Sequence, residues 1–281
     1  MSLQSGVSWR LKRVSVGDYH LGGKQFSAEP TINPEQFIEV GTGDYQAEIN
    51  KIAHVSPKIS WSMKPQHLDD FVADYSHTNK FAFNSAEAAQ VPYDLYTLNG
   101  LSGVKLGSCV TNSCKLTIPI RGAIQVMVES YAKNRTLQAY GSDPTPITDA
   151  VLTKANLETI TIGGTSVKAD FRSIEVAVNW KAEHIHLGTT IFPNEVRHKE
   201  AIYTVSIERG LKTQSFAEDA YNGTQKSVIL QINDNRTTPK KTKFTFTNMD
   251  INVHSHRINE LDITYERFEC KGRLLTLAAG T

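Results

Sequence analysis

Two back-to-back runs of alternating apolar and polar residues constrain this chain more than any other feature. Leu116, Ile118 and Ile120 alternate with Lys115, Thr117 and Pro119, and Ile124, Val126 and Val128 alternate with Gln125, Met127 and Glu129. A period of two puts every second side chain on one face, the pattern of a strand buried on one side. Arg121-Gly122 lies between the runs as a turn, so the stretch reads as a β-hairpin. A related stretch, Phe244 to Glu269, lies near the C-terminus. A shift of 135 residues puts Leu116, Ile118, Val126 and Val128 on Ile251, Val253, Leu261 and Ile263, and the dipeptides Thr111-Asn112 and Thr247-Asn248 match at 136. The chain therefore reads as two copies of one unit, residues 37–140 and 147–281, each closed by this hairpin, behind an N-terminal arm of residues 1–36.

The remaining segments fit that division. Pro57 to Met63 reads as a strand with Ile59, Trp61 and Met63 on one side. Pro65 stops it, and Gln66 to Tyr75 reads as a short helix with Leu68, Phe71, Val72 and Tyr75 on one stripe. Strand candidates lie between Phe81 and Leu98, and Gly141 to Pro146 is the clearest linker. In the second unit, Leu157–Ile162, Val167–Phe171, Ile174–Asn179, Ile202–Arg209, Val228–Ile232 and Leu274–Leu277 read as strands. Thr213 to Tyr221 reads as a short helix whose FAEDAY resembles the FVADY of residues 71–75. Trp180 to Glu200 reads as a long polar loop, and Asn233 to Lys243 as a basic, solvated hairpin tip. Strands far outnumber helices, and the helices are too short to be parallel-sheet crossovers. The expected fold is mainly β: two related antiparallel β-sandwich or barrel units, each with one short α-helix.

Composition removes several classes of function. With 30 Lys plus Arg against 29 Asp plus Glu, net charge says nothing about a nucleic-acid or membrane partner. No apolar run reaches the roughly 18 residues of a membrane-spanning helix, and the first residues lack the continuous apolar core of a secretory signal. Cys109, Cys114 and Cys270 form an odd, sparse set, expected as buried thiols in a reducing compartment. His184/His186 and His254/His256 have a spacing that can bind zinc, but no Cys or carboxylate stands at ligand spacing beside either pair. Gly163-Gly164-Thr165 lacks the Lys-Ser/Thr of a phosphate loop, and no nucleophile elbow or metalloprotease motif occurs. The expectation is no enzyme, no cofactor and no metal site.

The segment GSCVTNSCKLTIPIRGAIQVMVESYAK, residues 107–133, resembles the first-half signature of the tail tube proteins of tailed bacteriophages. ITIGGTSVKADFRSIEVAVNW, LGTTIFPNEVRHKEAIYTVSI and FTFTNMDINVHS resemble that family's second-half stretches, although His198-Lys199-Glu200 replaces a Gly-Arg-like pair and Met249 a Val. The likeness spans residues 36–270. It implies a structural virion protein, made in the host cytoplasm, whose rings stack into a hollow tail tube. The partners implied are other copies of the chain, in trimeric pseudo-sixfold or hexameric rings. Tape-measure protein and double-stranded DNA would occupy the lumen, and tail terminator and baseplate proteins would sit at the ends. A tail terminator or baseplate hub protein of the same fold is the alternative, and a secreted carbohydrate-binding β-sandwich protein a more distant one. Within the tube reading, the strand faces opposite the apolar ones carry Glu129, Glu175, Glu208, Glu260, Asp262 and Glu266 with few cations, and this acidic set is expected to line the lumen. Trp9, Leu187, Ile191 and Phe192 are isolated apolar residues in the arm and the long loop, expected to make contacts between rings and to order only on assembly.

Overall fold

The computed structural model describes residues 10–15, 17–21, 27–36, 52–75, 93–98, 103–137, 149–187, 191–210, 215–258 and 264–280. Among these the protein is mainly β, every strand pairing is antiparallel, and there is one α-helix. The first half contains β1 (Arg10–Ser15), β2 (Gly17–Leu21), β3 (Ser27–Gln36), β4 (Ile52–Met63), β5 (Tyr93–Leu98), β6 (Gly103–Pro119), β7 (Gln125–Tyr131) and β8 (Asn134–Leu137). The second begins with β9 (Leu157–Ile162), β10 (Thr165–Ser166), β11 (Phe171–Asn179), β12 (Ala182–Ile185), β13 (Glu195–His198) and β14 (Ile202–Gly210). After α1 (Ser215–Tyr221) come β15 (Lys226–Asn233), β16 (Lys241–Ile258), β17 (Thr264–Gly272) and β18 (Leu274–Ala279).

The hairpin expected from the alternation is β6–β7, with Leu116 opposite Val126 and Gly122 at φ +94° in the turn, a backbone conformation that glycine adopts without strain. Leu116, Ile118, Val126 and Val128 all point into the core. From this hairpin the sheet extends both ways. Eight strands pair in line, in the order β3, β4, β7, β6, β11, β14, β17, β16. The first ends of β6 and β16 leave this line and pair instead with β5 and β8, and with β15 and β18.

The second half repeats the pairing of the first, residue by residue. Lys115 opposite Met127 in β6–β7 recurs as Ser255 opposite Arg267 in β16–β17, an offset of 140. The register shift between Thr111 and Ser113 recurs between Ile251 and Val253. Ser108 and Asn248, also 140 apart, share a left-handed backbone at φ 51° and 53°. The pairing of β6 with β8 (Val104 opposite Leu137) recurs in β16 with β18 (Phe244 opposite Leu277). Upstream the offset is 146: Ser27 opposite Ser62 in β3–β4 recurs as Ser173 opposite Glu208 in β11–β14.

These registers replace the 135-residue alignment. They put Leu116 at the place of His256 and Val126 at that of Glu266. The bulges explain the error. An extra residue in a strand exchanges its two faces, and the 135-residue shift lays the alternation after the bulge of β6 across the bulge of β16, with Ile251 and Val253 on either side of it.

Other expectations also change. The arm of residues 1–36 contains three strands, with β1 on β5 and β3 on β4. Gln66–Tyr75 holds two 3-10 turns, Leu68–Asp70 and Val72–Tyr75, instead of an α-helix, and still buries Leu68, Phe71 and Tyr75. The three-residue spacing of Leu68 and Phe71 suits either helix type. Val167–Phe171 is a turn entering β11, with Val167 buried. The Gly141–Pro146 linker and residues 81–92 lie outside the described residues.

One hydrophobic core runs through both halves. The first half's turn reaches into the second: the Tyr75 hydroxyl donates to the Val176 carbonyl at 2.7 Å, and the Tyr75 ring meets Phe244 edge-on at 5.5 Å. The Trp180 indole in turn donates to the Asp74 carbonyl at 2.9 Å. Burying these aromatic groups requires partners for their polar ends, and the backbone across the junction supplies them.

Candidate assembly surfaces

The non-core face of the eight-stranded line carries three of the six expected lumen carboxylates. Glu175 on β11 pairs with Lys115 of β6 at 3.0 Å and lies 3.8 Å from Arg267 of β17. Glu208 on β14 pairs with Arg172 at 3.4 Å. Glu129 on β7 accepts a 2.6 Å hydrogen bond from Asn112. Two expectations are corrected here. The face is not poor in cations, because Lys115, Arg172 and Arg267 share it. Glu266 is not on it: Glu266 has the parity of Phe268 and Cys270, is 0% exposed, and forms an ion pair with the buried Arg209. Glu260 and Asp262 lie outside the described residues.

The expected polar loop 180–200 contains the hairpin β12–β13, seated on the ends of first-half strands. His184 stacks on Tyr131 with ring centroids 4.8 Å apart and donates from Nε2 towards the carbonyls of Pro57 and Ala132, both at 3.2 Å. His198 Nε2 donates to the Thr111 carbonyl at 2.9 Å and stacks on Trp180. Asn112, the extra residue at the bulge of β6, accepts from the Ala182 N–H on its side-chain oxygen at 2.8 Å. The Val55 N–H donates to the Ile191 carbonyl at 2.8 Å. Burial pushes the His184 imidazole down to about 4, against the opposing pull of the Ala132 and Pro57 carbonyls. Burial likewise lowers His198 to about 4, opposed by its bond to Thr111. The hairpin is thus held by neutral imidazoles and by contacts within one chain. Near its turn, Leu187 is 63% exposed and Ile191 51%, while Phe192 is half-buried. Trp9 lies outside the described residues.

The basic tip is not merely solvated. Arg236 and Lys240 reach Asp69 of the first half at 2.7 and 2.9 Å, and Lys241 reaches Glu158 at 3.2 Å. Burial raises the Asp69 carboxyl, but hydrogen bonds and charge from Lys240 and Arg236 outweigh it and hold the group below its ordinary range. Cys109, Cys114 and Cys270 are buried free thiols, and burial pushes Cys270 up to about 12. Among the described residues no three His, Cys, Asp or Glu side chains form a metal-binding group.

Two strand edges complete the inventory. Among the described residues, β3 pairs only with β4, and the 250–258 part of β16 pairs only with β17. Beside the latter an open groove is lined by Ile202, Asn248, Lys271, Gly272, Arg273 and Leu274. The contacts of Asn112, Tyr131 and Asp69 are not legible in the sequence, because they depend on strands distant along the chain. No known protein family matches the chain, and no curated protein matches it significantly.

Proposed function

We propose that this chain is a structural subunit that closes with copies of itself into rings, and that the rings stack into a hollow tube of the kind found in the tails of tailed bacteriophages. One observation carries the reading. The set β3, β4, β7, β6 is followed in line by β11, β14, β17, β16, which has the same registers, so a single chain already contains two successive segments of a repeating wall. Two copies of one β-rich sandwich unit, joined edge to edge, account for that order. Free strand edges are a hazard that ring closure removes.

In this reading the non-core face of the line is the lumen wall. Its carboxylates Glu175 and Glu208 engage the cations Lys115, Arg267 and Arg172, and Glu129 accepts from Asn112, so these three cations are not free to hold a DNA backbone. DNA and a tape-measure protein slide past such a wall, and terminator and baseplate proteins close the ends. The exposed Leu187 and Ile191 at the hairpin tip face the next ring. The test is sedimentation and negative-stain microscopy of purified protein: rings or tubes are expected, and a stable monomer at high concentration overturns the proposal.

A further inference from the structure

The junction inside the chain specifies the junction between chains. Where the halves meet, β6 pairs with β11: Ile118 opposite Ile174, Thr117 opposite Glu175, Leu116 opposite Val176, Lys115 opposite Ala177, Cys114 opposite Val178 and Ser113 opposite Asn179. The place of β6 is taken in the second half by β16, at an offset of 140, and the place of β11 is taken in the first half by β3, at an offset of 146. These are the two edges left unpaired at the ends of the eight-stranded line among the described residues. We propose that β16 of one chain pairs antiparallel with β3 of a second copy, in the register transferred from β6–β11: Ile258 opposite Ala28, Arg257 opposite Glu29, His256 opposite Pro30, Ser255 opposite Thr31, His254 opposite Ile32 and Val253 opposite Asn33.

Three features of the chain support this occupant over any other. First, the transferred register puts opposite charges, Arg257 and Glu29, at one cross-strand position, the arrangement that stabilises an antiparallel pair. It places no like charges opposite each other. Second, the partner is a segment of the same sequence already held in strand form by β4, so docking it orders little new backbone. Third, the open groove beside β16 corresponds to a surface in the first half that another segment partly covers. Ile202, Lys271 and Gly272 occupy the places of Ser56, Tyr131 and Ala132 at the same offsets. There the β12–β13 hairpin packs on the surface, with His186 3.3 Å from Ser56, and His184 stacked on Tyr131 and bonded to the Ala132 carbonyl, and leaves a smaller open pocket beside Lys58. The incoming copy covers the equivalent groove, including the exposed Leu274. Because the two edges differ, the contact is head to tail. It cannot form a symmetric dimer and propagates until a ring closes.

The proposal rests on the ring reading and adds the edges and their register to it. The test is site-directed cross-linking of the full chain. Directly opposed residues of an antiparallel pair come within disulfide reach, and neighbours two positions along do not. The variant Thr31→Cys/Ser255→Cys is expected to give, on mild oxidation, a closed covalent ring that reduction dissolves. The displaced pair Glu29→Cys/Ser255→Cys is expected to cross-link at least tenfold less. In parallel, Glu29→Arg is expected to abolish rings, and Glu29→Arg/Arg257→Glu to restore them. Rings that form while 31/255 stays uncross-linked, or while the displaced pair links better, overturn this register and leave the ring reading standing. Absence of any assembly from the unmodified protein overturns both.

Discussion

Arg209 faces Glu266 inside the core, across β14 and β17, at the position where the first half has Met63 opposite Val126. Both members of the charged pair are buried, and so are both apolar residues they correspond to. The guanidinium also lies 6.0 Å above the Phe268 ring. One strand pairing thus appears twice in this protein, once with a salt bridge and once with hydrocarbon.

That relationship yields a stability prediction. Removing one partner strands a buried charge, so Glu266→Gln is expected to cost about 3–5 kcal/mol. Arg209→Met/Glu266→Val, which installs the first-half pair, is expected to keep stability within about 1–2 kcal/mol of the original, because a buried ion pair gains little over well-packed apolar groups. Urea unfolding of both variants checks this. A double variant as unstable as the single one would show that the two sites differ in packing.

Acid should release the β12–β13 hairpin before it unfolds the rest. His184 and His198 are held at about 4 in the fold, against about 6.5 in an open chain. The unfolded form therefore takes up protons first. The hairpin's stabilisation is fully present above about pH 6.5 and is lost as pH falls towards 4. Hydrogen exchange at the amides of β12 and β13 should accelerate over that window while the β6–β7 ladder stays protected. His198→Gln should weaken the dependence.

In the proposed ring, stoichiometry follows from counting wall segments. Each chain supplies two sets of four strands in line, so a wall of six sets closes with three chains. Native mass spectrometry of isolated rings is expected to give three, and six chains per ring would refute the pseudo-sixfold arrangement.

Stacking should be separable from ring formation at the hairpin tip. Leu187→Glu/Ile191→Glu places charge where two apolar side chains stand open, so rings are expected to persist and long tubes to disappear. Truncating residues 1–20 is not an equivalent test, because it removes β1 from its pairing with β5. Normal tube lengths from the double Glu variant would place the ring-to-ring contact elsewhere.

Alternation alone determined much of this fold. The alternating residues Leu116, Ile118, Val126, Val128, Ile174, Val176, Val178, Val205 and Ile207 lie in strands with their side chains inside, whereas Ile120 is exposed beyond the end of β6. Local chemistry sufficed there, since a period of two and a glycine turn are properties of neighbouring residues. The existence of a repeat was legible for the same reason. Its phase was not. The bulges beyond Thr111 and Ile251 each add one residue to a strand, and only the partner strand reveals where the faces exchange. The site residues divide along the same line. Glu129, Glu175 and Glu208 kept the face their parity assigned, whereas Glu266 moved into the core, where a cation from another strand, Arg209, compensates its charge. The polar loop became a hairpin because Tyr131, Pro57, Ala132 and Thr111, distant in sequence, give its histidines a buried seat. Spacing along a chain states which side chains share a face. Which faces meet, and which edges remain open, depended on long-range pairing of strands.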